Sequence, residues 1–214
     1  MRGVIYVAYG EPALECLGVS LGSVQRLYSG IGVLVLSDQE IPGVPTQIVK
    51  SEDVGARSIK TRLAEFVPPR WDRVLYLDAD TQVLKELNRF WGPLRRGWDI
   101  VFCRDETASD VRDCRLRSRK ELSYTVGQLG ISEVAQLAGG AIAWNVNKAT
   151  ERFFKVWHHE WKQFKRRDQG ALTRALARVP LKMWTLPYNA NAKYLAEAEE
   201  IWHRHGMARQ RGSP

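Results

Sequence analysis

The sequence predicts an α/β fold: a single Rossmann-like domain with a mostly parallel central sheet flanked by helices. Three observations carry that expectation. Residues Gly3 to Ser37 read as strand, helix, strand, the βαβ unit that implies parallel pairing with helices packed on the sheet. Val74 to Leu77 is an apolar run short enough for a strand buried on both faces, and it ends abruptly in two carboxylates, Asp78 and Asp80. A length of 214 residues suffices for one well-cored domain and is short for two.

Taken in order, Gly3 to Ala8 is the first buried strand. Glu11 to Tyr28 carries Leu14, Leu17, Leu21, Val24 and Leu27 at helical spacing and closes on Ser29-Gly30. Gly32 to Ser37 is the second buried strand; Ile41 to Pro45 is a loop broken by Pro and Gly, and Thr46 to Val49 a short strand. Ser58 to Phe66 reads as a helix stopped by Pro68-Pro69. After Asp80 comes a short helix within Gln82 to Trp91, then a strand over Asp99 to Arg104. Asp105 to Ile131 is polar, basic and poorly periodic, so it reads as a long loop with short helices. Gly139 to Asn145 is strand-like, and Lys148 to Phe164 is an amphipathic helix through Phe153, Val156, Trp157, Trp161 and Phe164. A further helix follows Asp168, and Leu181 to Leu186 is a late strand. The expected domain is residues 1–206, with 207–214 a basic, frayed tail.

Composition narrows the class. No segment approaches the roughly 20 apolar residues that a membrane span needs, and the amino terminus is too strand-like for a signal peptide. Cys16, Cys103 and Cys114 are odd in number and irregularly spaced, which points to a reducing compartment, the cytoplasm by default, and to no zinc site. The net charge of +8, from 32 Lys and Arg against 24 Asp and Glu, is concentrated in Arg112 to Lys120 and Lys162 to Arg167. Such runs attract phosphate-bearing ligands or serve only as solvated faces.

The carboxylate pair is the sharpest feature. On a strand, residues two apart share a face, and at the carboxyl end of a buried strand Asp78 and Asp80 can converge on one divalent cation. The plainer reading is a strand that exits into a solvated acidic turn. Asp78, Asp80 and Thr81 also resemble the strand end of haloacid-dehalogenase-type phosphatases, in which the first Asp attacks phosphorus beside Mg²⁺. That chemistry needs a later acidic pair of Gly-Asp-x-x-x-Asp type, and none lies between Asp99 and Pro214. A nucleotidyltransferase wants a Gly-rich phosphate cradle after its first strand, but Ala8-Tyr9-Gly10-Glu11-Pro12 offers one glycine.

A third set of motifs agrees in order along nearly the whole chain. Tyr76-Leu77-Asp78-Ala79-Asp80-Thr81 resembles the Asp-x-Asp signature of GT-A fold glycosyltransferases, the glycosyltransferase family 8 group in particular. Gly3 to Ala8 is similar to that family's nucleotide-binding strand, and Arg62-Leu63 to its Arg-Leu pair facing the donor. Gly139-Gly140-Ala141-Ile142-Ala143-Trp144-Asn145, Asp168-Gln169 and His203-Arg204-His205-Gly206 resemble its later motifs.

The resemblance implies a GT-A-like domain and a metal-dependent transfer of a sugar from a nucleotide-diphosphate sugar, most often a UDP-sugar. Asp78, Asp80 and His203 would hold Mn²⁺ or Mg²⁺, and Ala8, Tyr9, Lys60, Arg62, Asp78, Ala79, Asp80, Gly139 and Gly140 would line the donor site. Asp168 and Gln169 would face the sugar, although an Asp at a helix start is by default an N-cap. Lys60 and Arg62 read equally as exposed helix charges, and His203 and His205 as polar residues of a charged tail. Three departures stand out. Ala138 replaces the Asn expected at the head of the Gly-Gly strand, the Lys-Pro-Trp after His-x-x-Gly is missing, and the first strand lacks an Asp for the base, where Tyr9 could stack. Arg112, Arg115, Arg117, Arg119 and Lys120 would suit a nucleic-acid or anionic-saccharide acceptor. A binding module of the same fold, its chemistry lost, is the non-enzymatic alternative.

Overall fold

The computed structural model describes residues 1–52, 56–105, 110–111, 119–165 and 167–204. β1 (Arg2–Ala8) leads into α1 (Glu11–Leu27), β2 (Gly32–Ser37) and β3 (Thr46–Ile48). α2 (Arg57–Lys60) is followed by a separate 3₁₀ turn over Leu63–Phe66, so the helix expected from Ser58 breaks at Thr61-Arg62. β4 (Arg73–Asp78) turns through Ala79 and Asp80 into β5 (Thr81–Val83), and α3 (Asn88–Arg95) follows. β5 thus takes the start of the stretch that reads as helix from sequence. Next come β6 (Ile100–Arg104), α4 (Arg119–Leu129), β7 (Leu137–Asn145), α5 (Lys148–Lys162) and α6 (Gln169–Arg178). β8 (Met183–Leu186), β9 (Asn191–Ala192) and β10 (Ile201–His203) complete the order. Residues 207–214 lie outside the described residues.

The seven-stranded sheet runs β3-β2-β1-β4-β7-β6-β8. The pairs β1–β2, β1–β4, β2–β3 and β6–β8 are parallel, and only β7 runs against its neighbours. Wholly apolar strands at the centre follow from burial on both faces: Val4, Ile5, Val74, Leu75 and Leu77 are all inaccessible. One face packs on α1 and α3 through Leu17, Val24, Phe90 and Trp91. The other packs on α2, α5 and α6 through Ile59, Phe153, Trp157 and Leu172. At the base of β1 and β2, the ring of Trp71 lies flat on Gly3 and Gly32; a Cβ at either would stand 2.1 and 2.6 Å from it.

Two irregularities set up the site. The pairing of β6 with β7 jumps from Phe102–Ile142 to Cys103–Ala138, so Gly139, Gly140 and Ala141 form a bulge on that side, a device that often re-aims the backbone beside functional groups. A second, three-stranded sheet, β5-β10-β9, is laid across this end of the domain. Its antiparallel β5–β10 pairing sets His203 opposite Thr81.

α4, α5 and α6 are tied together by a buried charge cluster. Arg174, with a fully buried side chain, donates from Nε to Glu160 Oε2 at 2.8 Å and from Nη1 to Thr125 Oγ1 at 2.6 Å, with Glu121 at 3.5 Å. The rings of Tyr124 and Phe164 lie 5.4 and 5.2 Å from its guanidinium. This anchoring fixes α6, and so the position of Asp168 and Gln169 at its start.

Candidate active site at the carboxyl end of β4

Asp78 is the last residue of β4, Asp80 lies in the turn that follows, and His203 arrives on β10. Each offers one ligand atom, and the three atoms lie within 4.8 Å of one another. His203 Nε2 stands 3.2 Å from Asp80 Oδ1 and 3.6 Å from Asp78 Oδ2. The turn that presents the two acids is pinned from below. Thr81 Oγ1 donates to the Asp78 carbonyl at 2.8 Å and lies 3.0 Å from Ser20 Oγ of α1. The Arg204 amide donates to the Asp80 carbonyl at 2.9 Å, and Ser23 Oγ accepts from the Val83 amide at 2.9 Å. Two carboxylates and one imidazole, all anchored on strands or a tied-down turn, form a donor set that suits a hard or borderline divalent cation such as Mg²⁺ or Mn²⁺.

The glycines of β7 make this packing possible. One step past the Leu77–Ala141 pair, Gly140 stands abreast of Asp78. A Cβ there would lie 2.3 Å from His203 Cε1 and 3.0 Å from Asp78 Oδ2, so a side chain at 140 and the His203 ring exclude one another. At Gly139 a Cβ would meet Lys60 Nζ at 3.3 Å and Asp168 Oδ2 at 3.7 Å. The pair therefore forms a floor with the cation ligands at one end and a charged bridge at the other.

That bridge is Lys60. Its Nζ lies 3.2 Å from Asp78 Oδ1 and 3.2 Å from Asp168 Oδ2. Burial alone would lower the pKa of this ammonium, but Asp168 and Asp78 outweigh it and hold Lys60 above its ordinary value, so it stays charged. Burial likewise pushes the Asp168 carboxyl up, and the charges of Lys60 and Arg57 reverse that and hold it below the usual carboxylate value. Asp168 makes no capping hydrogen bond to α6; its side chain serves the bridge. Tyr76 lies beneath, its hydroxyl donating to Asp78 Oδ1. Burial, then the adjacent Asp78 charge, push that phenol well above its ordinary pKa, so it remains a donor.

The other sequence candidates fall into two groups. Ala8 and Ala79 are buried in the core beside the site. Gln169 donates from Nε2 to the Leu137 carbonyl at 3.0 Å and to Gln136 Oε1 at 3.2 Å, which ties the start of α6 to the head of β7. Tyr9 donates to the Val49 carbonyl, holding the loop after β3 against the end of β1. Arg62 points elsewhere: it pairs with Glu65 at 2.7 Å and with Glu52 at 3.8 Å. Arg119 and Lys120 are exposed at the start of α4, and Arg112, Arg115, Arg117 and His205 lie outside the described residues.

Sequence reasoning passed over Tyr76 as one more apolar strand residue and had no means to pair Lys60 with both acids. The i, i+2 spacing of Tyr76 and Asp78, which puts them on one face of β4, was the available signal for the first. Nothing local signals the second, since the groups come from α2, β4 and the start of α6.

No protein-family model and no curated protein matches this chain. Solved structures do match. Mouse xyloside xylosyltransferase 1, in its apo form, superposes with a TM-score of 0.62 at 12% identity, over 100% of both chains. The galactosyltransferase LgtC, in complex with donor and acceptor sugar analogues, gives 0.62 at 18% identity, over 89% of this chain and 75% of its own. The bifunctional glycosyltransferase WbbM gives 0.64 at 14%, over 96% of this chain and 46% of its own. At such identities the likeness is one of architecture, and the chain accordingly has the GT-A-like fold that these glycosyltransferases share.

Proposed function

We propose that the chain is a metal-dependent glycosyltransferase that moves a sugar from a nucleotide-diphosphate sugar, a UDP-sugar foremost, to an anionic acceptor. The observation that carries this reading is the convergence of Asp78, Asp80 and His203 at the carboxyl end of β4, beside the Lys60–Asp168 bridge. Asp78, Asp80 and His203 would hold the cation, Mn²⁺ or Mg²⁺. When bound, it supplies electrostatic stabilisation of the departing diphosphate. The fit rests on the chemistry of the donor set and on the missing Cβ of Gly140, which gives the imidazole its place.

The remaining residues have roles of their own. Lys60 is a fixed positive charge between the cation ligands and Asp168, suited to hold anionic donor groups in register. Asp168, kept ionised, is an acceptor for sugar hydroxyls, and Gln169, immobilised on the head of β7, keeps the start of α6 beside it. Tyr9 offers a ring for the base at the end of β1. Exposed Arg119 and Lys120 favour an anionic acceptor on the α4 side.

The test is release of sugar from a panel of nucleotide sugars, with Mn²⁺ and with excess chelator. Asp80→Asn is expected to abolish turnover while the far-UV spectrum and melting temperature stay near wild type. Full turnover in that variant, or in chelator, would overturn the proposal.

A further inference from the structure

The two oxygens of Asp78 have different neighbours. Oδ1 accepts from the Tyr76 hydroxyl at 2.5 Å and from Lys60 Nζ at 3.2 Å. Oδ2 is the oxygen beside His203, 3.6 Å from its Nε2, and the one that a Cβ at Gly140 would approach to 3.0 Å. Tyr76 is itself locked. The residue is 2% exposed, it pairs with Ile5 on one side and Ile142 on the other, and Lys60 stands 5.3 Å over its ring centroid. A free carboxylate can chelate a cation through both oxygens or swing between them. Here one oxygen is already saturated by two donors from the protein.

We infer that Tyr76 is a positioning residue for the cation site: its hydroxyl, with Lys60, occupies Oδ1 and leaves Asp78 to act through Oδ2 alone. This rests on the cation-site reading above. A ligand limited to one oxygen leaves more of the cation's coordination positions open to diphosphate oxygens, and groups that orient ligands in this way tune affinity strongly. A purely structural Tyr76 would satisfy a buried hydroxyl and do nothing for the cation.

The experiment is Mn²⁺ binding to the full chain, followed by loss of the free-ion electron paramagnetic resonance signal. Tyr76→Phe keeps the ring and removes only the donor. It is expected to weaken Mn²⁺ by roughly 10-fold or more, with the fold intact by circular dichroism. In an Asp78→Asn background the same change is expected to add nothing. Unchanged affinity in a folded Tyr76→Phe, or an equal effect in the Asp78→Asn background, would overturn the inference. Should Tyr76→Phe fail to fold, the tyrosine ultraviolet difference spectrum of the wild type on adding Mg²⁺ decides: a perturbed tyrosine supports the inference, and a flat spectrum overturns it. A wild-type chain that binds neither ion sinks the cation-site reading itself, whereas tight binding indifferent to Tyr76 sinks only this step.

Discussion

Gly140 lies so close under His203 that a Cβ built on it would stand 2.3 Å from Cε1 and 2.7 Å from Nδ1 of the ring. The contact joins β7 of the main sheet to β10 of the small one, and it leaves the imidazole no second place. Gly140→Ala is therefore expected to push His203 off the two carboxylates. Because the neighbour that must shift is a ring anchored on a strand, β10 has to move with it. Mn²⁺ affinity measured by calorimetry should fall by about 10-fold or more. Wild-type affinity in the alanine variant would show that His203 is not a ligand.

His158 gives the chain a dependence on pH away from the site. Its Nδ1 lies 2.9 Å from Thr61 Oγ1, next to Lys60, and its ring stacks on Trp161. Burial lowers its pKa below the ordinary 6.5; the charges of Lys162 and Arg62 add to this, and Glu52 and Glu65 oppose it. The unfolded chain thus takes up this proton at a higher pH than the folded one. Its contribution to stability is complete above 6.5 and is lost as the pH falls through the lower, folded value. Urea midpoints should drop between neutral and mildly acidic pH in the wild type, and less steeply in His158→Gln. Identical slopes would assign the effect elsewhere.

The skeleton was legible where periodicity is strong. β1, α1, β2, β4 and α5 all declare themselves, because an apolar run or a 3.6-residue stripe has nothing else to be. The small sheet did not, since β5, β9 and β10 have three, two and three residues, too few for a pattern, and β5 is distant in sequence from its partner β10. α4 was hidden for a different reason: it buries Glu121 and Thr125 against Arg174, so its inward face looks polar. The same divide runs through the site. Asp78 and Asp80 stood out against the apolar run before them, and His203 entered by resemblance. The Lys60 bridge and the Gly140–His203 contact are tertiary, and no local spacing encodes them.

Asn191 sits on β9 opposite Ile201, 3% exposed, and neither its amide nitrogen nor its amide oxygen has a hydrogen-bond partner among the described residues. A buried amide without protein partners costs about 1–3 kcal/mol. Leucine has a similar shape and no polar atoms, so Asn191→Leu is expected to raise the melting temperature and leave Mn²⁺ binding unchanged. A lowered melting temperature would mean that the amide is satisfied in solution.

Arg174 offers the converse case, a buried charge with every neighbour in place. Glu160 and Glu121 are as inaccessible as Arg174 itself, at 0% and 1% of their side chains. Arg174→Leu would take the guanidinium from between the two buried carboxylates, while Glu160 keeps its ion pair with Arg178. Of the about 3–5 kcal/mol that removing one member of a buried pair typically costs, the low end is therefore expected. Thermal or urea unfolding should show that loss directly. Replacing the cluster as a whole, with Glu121→Leu and Glu160→Leu added to Arg174→Met, is expected to recover most of it, because these three buried charges go together and Arg178, which loses Glu160, is exposed enough for water to solvate it. The two variants also separate stability from function. α6 begins at Gln169, directly after Asp168, so loosening it in Arg174→Leu should disturb the Lys60–Asp168 bridge and weaken donor binding even in the folded fraction. The all-apolar cluster keeps α6 packed and should restore it. Donor affinity unaffected by Arg174→Leu would mean that Lys60 alone suffices to hold Asp168.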